Sequence, residues 1–171
     1  MARLVITADI HGSLRTWDKI KALVKQGDSL AIAGDLFDTV YGSKGNDDFR
    51  PDIIKKDFRS LPFRTYYVYG NCDREDYFKG HGFQCDFDFN GHAILMNHGH
   101  QKLPDLTNYQ IIIEGHSHRP RLDSIMGKIF LNPGSPNHPR SEYPSYALLE
   151  NHRIRIMDFT KNKVISELDI S

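Results

Sequence analysis

The chain has 171 residues, enough to bury a good hydrophobic core and short enough that one domain over 1–171 is the natural expectation. Hydrophobic residues make up 39% and charged residues 26%, and Lys plus Arg, at 22, equal Asp plus Glu, so no net field would draw the molecule to bulk nucleic acid or to a membrane. Two cysteines, Cys72 and Cys85, do not make a disulfide framework, and the opening MARLVITADIHG is too short in apolar residues for a signal peptide or a span, so a reducing cytoplasm is the expected setting.

The first apolar run, LVITA (4–8), reads as a strand buried on both faces, because it is rich in β-branched residues and does not alternate. Within 13–28, Trp17, Ile20, Leu23 and Val24 follow helical spacing, with Gly27 where a helix would stop. SLAIA (29–33) is a second strand, and PDIIKKDFRSL (51–61) is a second helix that opens on Pro51 in its first turn. TYYVY (65–69) is a third strand, and strand–helix–strand–helix–strand implies parallel pairing with right-handed crossovers. Further on, Asn90-Gly91 between FQCDFDF and HAILMNH signals a hairpin, with its second strand at AILM (93–96). III (111–113) is another buried strand, SIMGKIFLN (124–132) repeats the hairpin pattern around Gly127, and 145–170 reads as three strands with turns near Asn151 and Asn162. An α/β half is thus followed by a mostly antiparallel half, with no internal repeat. The longest irregular stretch, 37–50, suits a substrate wall, with Phe37, Tyr41 and Arg50 as candidate contacts.

The residues just past the apolar runs carry the chemistry. LVITA leads into Asp9 and His11, SLAIA into Asp35, TYYVY into Asn71, AILM into His98 and His100, and III into His116 and His118. Ligands of open α/β sheets bind beyond the carboxyl ends of strands, so these residues can meet in one place. Residues i and i+2 of an extended segment point the same way, which would let Asp9 and His11 reach one ion together, and likewise His116 and His118. Glycines 34, 70, 99 and 115 would let the backbone turn and leave room beside the ions. Asp9, His11, Asp35, Asn71, His98, His116 and His118 are too many ligands for one ion and suit two sharing a carboxylate. Imidazole, carboxylate and amide oxygen without thiolate favour manganese, iron, nickel or zinc. The positive charge left over would hold a small phosphate ester.

The order D-x-H, G-D, G-N, H-G-H, G-H-x-H resembles the calcineurin-like metallophosphoesterase superfamily, and GNCD (70–73), NHGH (97–100), GHSHRP (115–120) and LNPGS (131–135) resemble its small YfcE-like branch. The resemblance implies two mixed β-sheets packed as a sandwich flanked by helices. It implies one ion on Asp9, His11, Asp35 and His118 and another on Asp35, Asn71, His98 and His116, with manganese favoured. It further implies phosphodiester hydrolysis by a hydroxide held between the ions, attacking phosphorus in line. Where many relatives carry a histidine after the Asn of G-N, this chain has Cys72, a poor general acid. His100 is read as a phosphate contact or a support to the ligands, and Asp73 as orienting Asn71 or capping the next segment. The NPGS turn is read as structural, and His81, His92, His138 and His152 as turn or surface residues. The rival readings are a phosphomonoesterase and a non-catalytic scaffold of the same fold. Retention of every ligand favours the enzyme, and assembly into a homo-oligomer is compatible with the sequence.

Overall fold

The computed structural model describes residues 2–42 and 45–171, so residues 43 and 44 of the expected substrate wall lie outside the described residues. In chain order the elements are β1 (Arg3–Thr7), α1 (Leu14–Leu23), β2 (Ser29–Ile32), α2 (Pro51–Phe58), β3 (Thr65–Tyr67), β4 (Gln84–Phe89), β5 (His92–Asn97), β6 (Ile111–Ile113), β7 (Pro120–Ile125), β8 (Lys128–Pro133), β9 (Ser145–Glu150), β10 (Arg153–Asp158) and β11 (Val164–Asp169). They form a six-stranded sheet of order β11-β10-β9-β1-β2-β3 and a five-stranded sheet of order β4-β5-β6-β8-β7.

Both sheets are mixed. β1, β2 and β3 pair in parallel, as the alternation of strands and helices requires, and β9 closes antiparallel on β1. In the second sheet β6 lies parallel between β5 and β8, so the later half is less uniformly antiparallel than its hairpins suggest. The two hairpins of that sheet turn on Asn90-Gly91 and Met126-Gly127, all four residues with positive φ, which is the backbone twist a two-residue hairpin prefers.

Burial sets the layers. Leu4 and Ile6 of β1 meet Ile94 and Met96 of β5, Ile111 and Ile113 of β6 and Leu131 of β8 between the sheets. The other face of the six-stranded sheet packs Val5, Leu30 and Ile32 against Trp17 and Ile20 of α1 and Ile54 of α2. β1 and β2 are therefore buried on both faces, which is why their sequences do not alternate. The described helices cover this one face only. α1 stops at Leu23, before Gly27, because Val24 is already extended. Its N-terminus is fixed by Ser13, whose hydroxyl accepts from the Thr16 N–H at 3.1 Å and donates to Asp48 at 2.6 Å. The far end of the 37–50 segment is thereby fastened to the start of α1.

Candidate metal centre

The turns after β1, β2, β3, β5 and β6 come together at one edge of the sandwich. Backbone pairing continues past the strands: the N–H of Asp9 donates to Gly34 O at 3.0 Å and that of His11 to Asp35 O at 2.9 Å. Asp9, His11, Asp35, Asp38, His116 and His118 all adopt positive φ, between 50° and 66°. This corrects the expectation that Asp9 and His11, and His116 and His118, converge as neighbours on extended backbone. They converge through left-handed turns instead, and Asp and His tolerate that conformation better than bulkier residues. Room for the convergence comes from absent side chains. A Cβ on Gly34 would sit 2.4 Å from His98 Nδ1, and one on Gly70 would sit 2.0 Å from Asp35 Oδ1. Gly115 does the same against the Ala33 carbonyl, whereas Gly99 uses its freedom of φ rather than its missing side chain.

Three imidazoles are oriented alike. His98 Nδ1 faces the Ala33 carbonyl at 2.7 Å, His118 Nδ1 the His138 carbonyl at 2.6 Å, and His11 Nδ1 the Asp38 carboxylate at 3.2 Å. Each partner only accepts, so Nδ1 carries a hydrogen, and in the neutral ring Nε2 is left to present its lone pair to a cation. Those Nε2 atoms gather around two carboxylates. Asp9 Oδ1 lies 3.1 Å from His118, 3.8 Å from His11 and 3.9 Å from His98, and Asp35 Oδ2 lies 3.2 Å from His98 and 3.9 Å from His11. Nε2 of His11 and Nε2 of His118 face each other at 3.3 Å.

Such a cluster is unfavourable by itself and suits cations. Asp9 Oδ1 and His98 Nε2 are buried without a hydrogen-bond partner, an expensive state for polar atoms. Asp9, His11 and His118 offer ligand atoms within 4.8 Å of one another, as do Asp9, Asp35 and His98. Burial would raise the Asp35 carboxyl, but the His98 imidazole and the Cys72 N–H, at 2.8 Å, outweigh it and hold Asp35 below the usual carboxylate range. Burial likewise opposes a charge on His98, yet Asp35 and Asp9 push its pKa up to about 8.

The other expected residues sit around this cluster. His116 is exposed: its N–H donates to Asp9 Oδ2 at 3.0 Å and its ring lies 5.2 Å from that of His98. His100 lies 5.4 Å from the His98 ring, with its Nδ1 buried and unpartnered. Asn71 is exposed and its amide points to Cys72 Sγ at 3.3 Å. Cys72 is buried, and burial together with the charges of Asp35, Asp38 and Asp73 pushes its thiol far up. Phe37 is not a substrate contact: it is 1% exposed and packs with Tyr67, Tyr77 and Phe78.

Several supporting residues carry roles that their sequence positions do not reveal. Among the described residues Asp73 makes no hydrogen bond to the Asn71 side chain, and its part is wider than a cap on the next segment. Its carboxylate accepts from the N–H groups of Leu36, Phe37, Asp38 and Gly70 and from the Tyr67 hydroxyl, binding the turn that carries Asp35 to the turn after β3. The NPGS turn is structural, as expected, and clamps the site: Ser135 Oγ donates to the Asp9 carbonyl at 2.8 Å and Asn132 Nδ2 to the Gly115 carbonyl at 2.6 Å. His138 is not remote, since its ring lies 5.3 Å from that of His11. Asp38 and His138 had a signal in the sequence, three residues after Asp35 and three after Ser135 respectively, but the spacing alone is too common to act on.

A layered sandwich with a buried carboxylate–imidazole cluster beyond its strand ends defines a metal-binding hydrolase type of architecture. A family model described as the calcineurin-like phosphoesterase superfamily domain matches residues 2–153, and the chain belongs to that superfamily. The phosphodiesterase YfcE of Escherichia coli (strain K12) is 26% identical over 185 residues, with 100% of each chain covered. Among solved structures, YfcE, a phosphoesterase from E. coli, superposes with a TM-score of 0.84 at 23% identity, covering 99% of this chain and 100% of the other. Vps29 of Entamoeba histolytica complexed with Zn²⁺ superposes with a TM-score of 0.67 at 21% identity, covering 99% of each chain.

Proposed function

We propose that this chain is a metal-dependent phosphodiesterase, acting in the cytoplasm on small phosphate esters, with Asp9, His11, Asp35, Asn71, His98, His116 and His118 as ligands to two divalent ions shared through Asp35. The observation that carries the reading is the convergence of three Nε2 atoms on two buried carboxylates, with Asp9 Oδ1 and His98 Nε2 left without a hydrogen-bond partner. Bound there, divalent ions would activate water as a nucleophile and neutralise charge on the phosphate oxygens. The protein's part is to hold the donors in place before any ion arrives. Ala33, Asp38 and the His138 carbonyl fix the ring orientations, and the Cys72 N–H fixes Asp35. His100 stands where it can meet a phosphate oxygen or support His98. Cys72 has no acid role in this scheme, because its thiol is held neutral and is a weak donor.

The E. coli relative named a phosphodiesterase favours diesters over monoesters as the substrate class of this chain. The donor set suits manganese, iron, nickel or zinc, with manganese put first by the family resemblance. Both cysteines are free, in keeping with a reducing compartment, and no described helix is long and apolar enough to cross a membrane. The test is a panel on protein stripped of metal and reloaded with each ion, with bis(p-nitrophenyl) phosphate against p-nitrophenyl phosphate. Metal-dependent turnover, faster on the diester, is expected. A chain that binds two ions and turns over neither ester would overturn the reading in favour of a scaffold.

A further inference from the structure

The segment that follows the NPGS turn is tied to the turns that bear Asp9, His11 and His118. Asn137 Nδ2 donates to the Ile10 carbonyl at 2.9 Å, and the His138 N–H donates to Ser135 Oγ at 2.8 Å. The His138 carbonyl accepts from His118 Nδ1, and the Arg140 N–H donates to the His118 carbonyl at 3.0 Å. Pro139 narrows the backbone choices of the residue before it, so His138 is constrained from within the chain as well. None of these bonds uses the His138 imidazole. The ring is exposed, its centre is 5.3 Å from that of His11 with the planes at 73°, and its nitrogens have no hydrogen-bond partner among the described residues. The rings of His11, His98 and His118, by contrast, each have Nδ1 committed. A fixed backbone thus holds an unengaged polar ring beside the cluster.

We infer that His138 is a further catalytic residue, whose imidazole N–H donates a hydrogen bond to a non-bridging oxygen of the phosphate ester held at the carboxylate–imidazole cluster. The inference rests on the phosphodiesterase reading of that cluster and adds a substrate contact to it. An imidazole has an N–H to give in either charge state. In-line attack sends the departing oxygen to the side away from the nucleophile, whereas a ring alongside His11 faces the oxygens that stay on phosphorus. Those oxygens carry the charge of the transition state, where a donor already in place has its largest effect. His100 stands beside His98 as His138 stands beside His11, so the phosphate would meet a ring next to each of these two imidazoles. The Cys72 thiol, a weak donor, cannot supply a comparable bond.

The test measures binding and turnover on the metal-loaded full chain and on His138→Ala, His138→Gln and His138→Asn. These substitutions keep the carbonyl that orients His118 and change only an exposed ring, so metal content should match wild type. By calorimetry, inorganic phosphate should bind His138→Ala on the order of 10–100-fold more weakly, the effect of one hydrogen bond to a charged oxygen. Turnover compares methyl p-nitrophenyl phosphate with methyl phenyl phosphate, which differ only in the leaving group. Their kcat/KM values should fall together in His138→Ala, by a factor of the same order. At least one of the two amide variants, which keep an N–H donor, should recover much of both losses. Unchanged phosphate affinity, loss of the metals along with activity, or amide variants no better than alanine would overturn the contact. So would a much larger loss on methyl phenyl phosphate, which would make His138 a proton donor to the departing oxygen. If phosphate binding depends on His138 but no ester is turned over with any ion, the contact stands and the hydrolytic reading falls. If wild type and His138→Ala hydrolyse both esters equally, only the contact falls.

Discussion

Ile6 and Asp9 lie three residues apart on one line of chain and both are 0% exposed, yet they are kept in place by different means. Ile6 sits in a regular strand, paired with Ala31 on one side and Ala147 on the other, and its side chain meets apolar neighbours between the sheets. Its contribution is undirected burial, about 1.5–3 kcal/mol for a side chain of that size. Asp9 has left-handed backbone, which costs a non-glycine residue about 1–3 kcal/mol. Its Oδ1 has no hydrogen-bond partner, while its carbonyl and Oδ2 are held by Ser135 and His116. The interior stabilises the fold, and the rim uses part of that stability to hold polar groups in an arrangement that only a cation would satisfy.

The contrast meets its severest challenge when charge is removed at the rim and bulk in the interior. Asp35→Asn removes the carboxylate proposed to be shared by both ions. Activity should fall by more than the roughly 10–100-fold typical when a group hydrogen-bonded to a ligand is lost, and metal content per chain should drop with it. Two tightly held ions and normal turnover in the variant would refute the shared role. In the interior, Ile6→Ala should lower unfolding free energy by about 2–5 kcal/mol in denaturant titrations, while activity per folded molecule stays near wild type.

The stripped protein offers a contrast of sign. Asp9→Asn replaces a buried carboxylate whose Oδ1 lacks a partner, so the metal-free chain should lose little or no thermal stability while losing metal binding. A melting temperature that falls as far as that of Ile6→Ala would mean that Asp9 holds the fold together and does not chiefly serve a cation.

Interior and rim are not equally legible in the sequence. Strand positions of the inner sheets follow from uninterrupted apolar runs such as LVITA and III, because burial on both faces leaves that trace directly. The ligand candidates are legible as well, since they stand just past strand ends and match the family's order of motifs. The route by which they converge is not. Left-handed φ at Asp9 or His118 is imposed by tertiary hydrogen bonds, such as His11 N to Asp35 O, which leave no local pattern. The supporting groups are hidden for the same reason. Asp73 gathers N–H groups from residues 36–38, more than thirty positions away in sequence, and Phe37 looks like a loop aromatic until the helix layer closes over it.

Asp73 stands between the two regions and so separates their contributions more finely. Among the described residues it makes no hydrogen bond to a proposed ligand side chain, but it fixes the backbone that bears Asp35 and Asp38. Asp73→Asn keeps the size and loses acceptor capacity, so roughly a 10–100-fold loss in activity or metal affinity is expected. Titration of the reloaded variant with metal should recover much of the activity at high concentration. Failure to recover, with the metals bound, would mean that Asp73 acts on the substrate directly.

The smallest effect is expected at Cys72, although it lies against the cluster. Phosphoryl transfer leaves charge on the departing oxygen. An aryl oxide carries that charge well, whereas an alkyl oxide benefits from an acid, worth on the order of 10²–10⁴-fold when well placed. A free thiol titrates near about 8.5, and here burial and the charges of Asp35, Asp38 and Asp73 push it far higher, so it neither delivers a proton readily nor attacks as thiolate. What the position does supply is a backbone N–H to Asp35, which any side chain leaves in place. Cys72→Ser should accordingly leave hydrolysis of aryl diesters within a few-fold of wild type. Cys72→His should raise turnover of alkyl or cyclic diesters on the order of tenfold more than that of aryl ones, by placing an acid where the thiol stands. The measurement is kcat against leaving-group pKa for the three proteins, with metal content checked in each. A flatter dependence for the histidine variant is the expected result. Loss of aryl activity in Cys72→Ser with both ions bound would instead give the thiol a direct part in the chemistry, and the division between a supporting backbone and an idle side chain at this position would no longer hold.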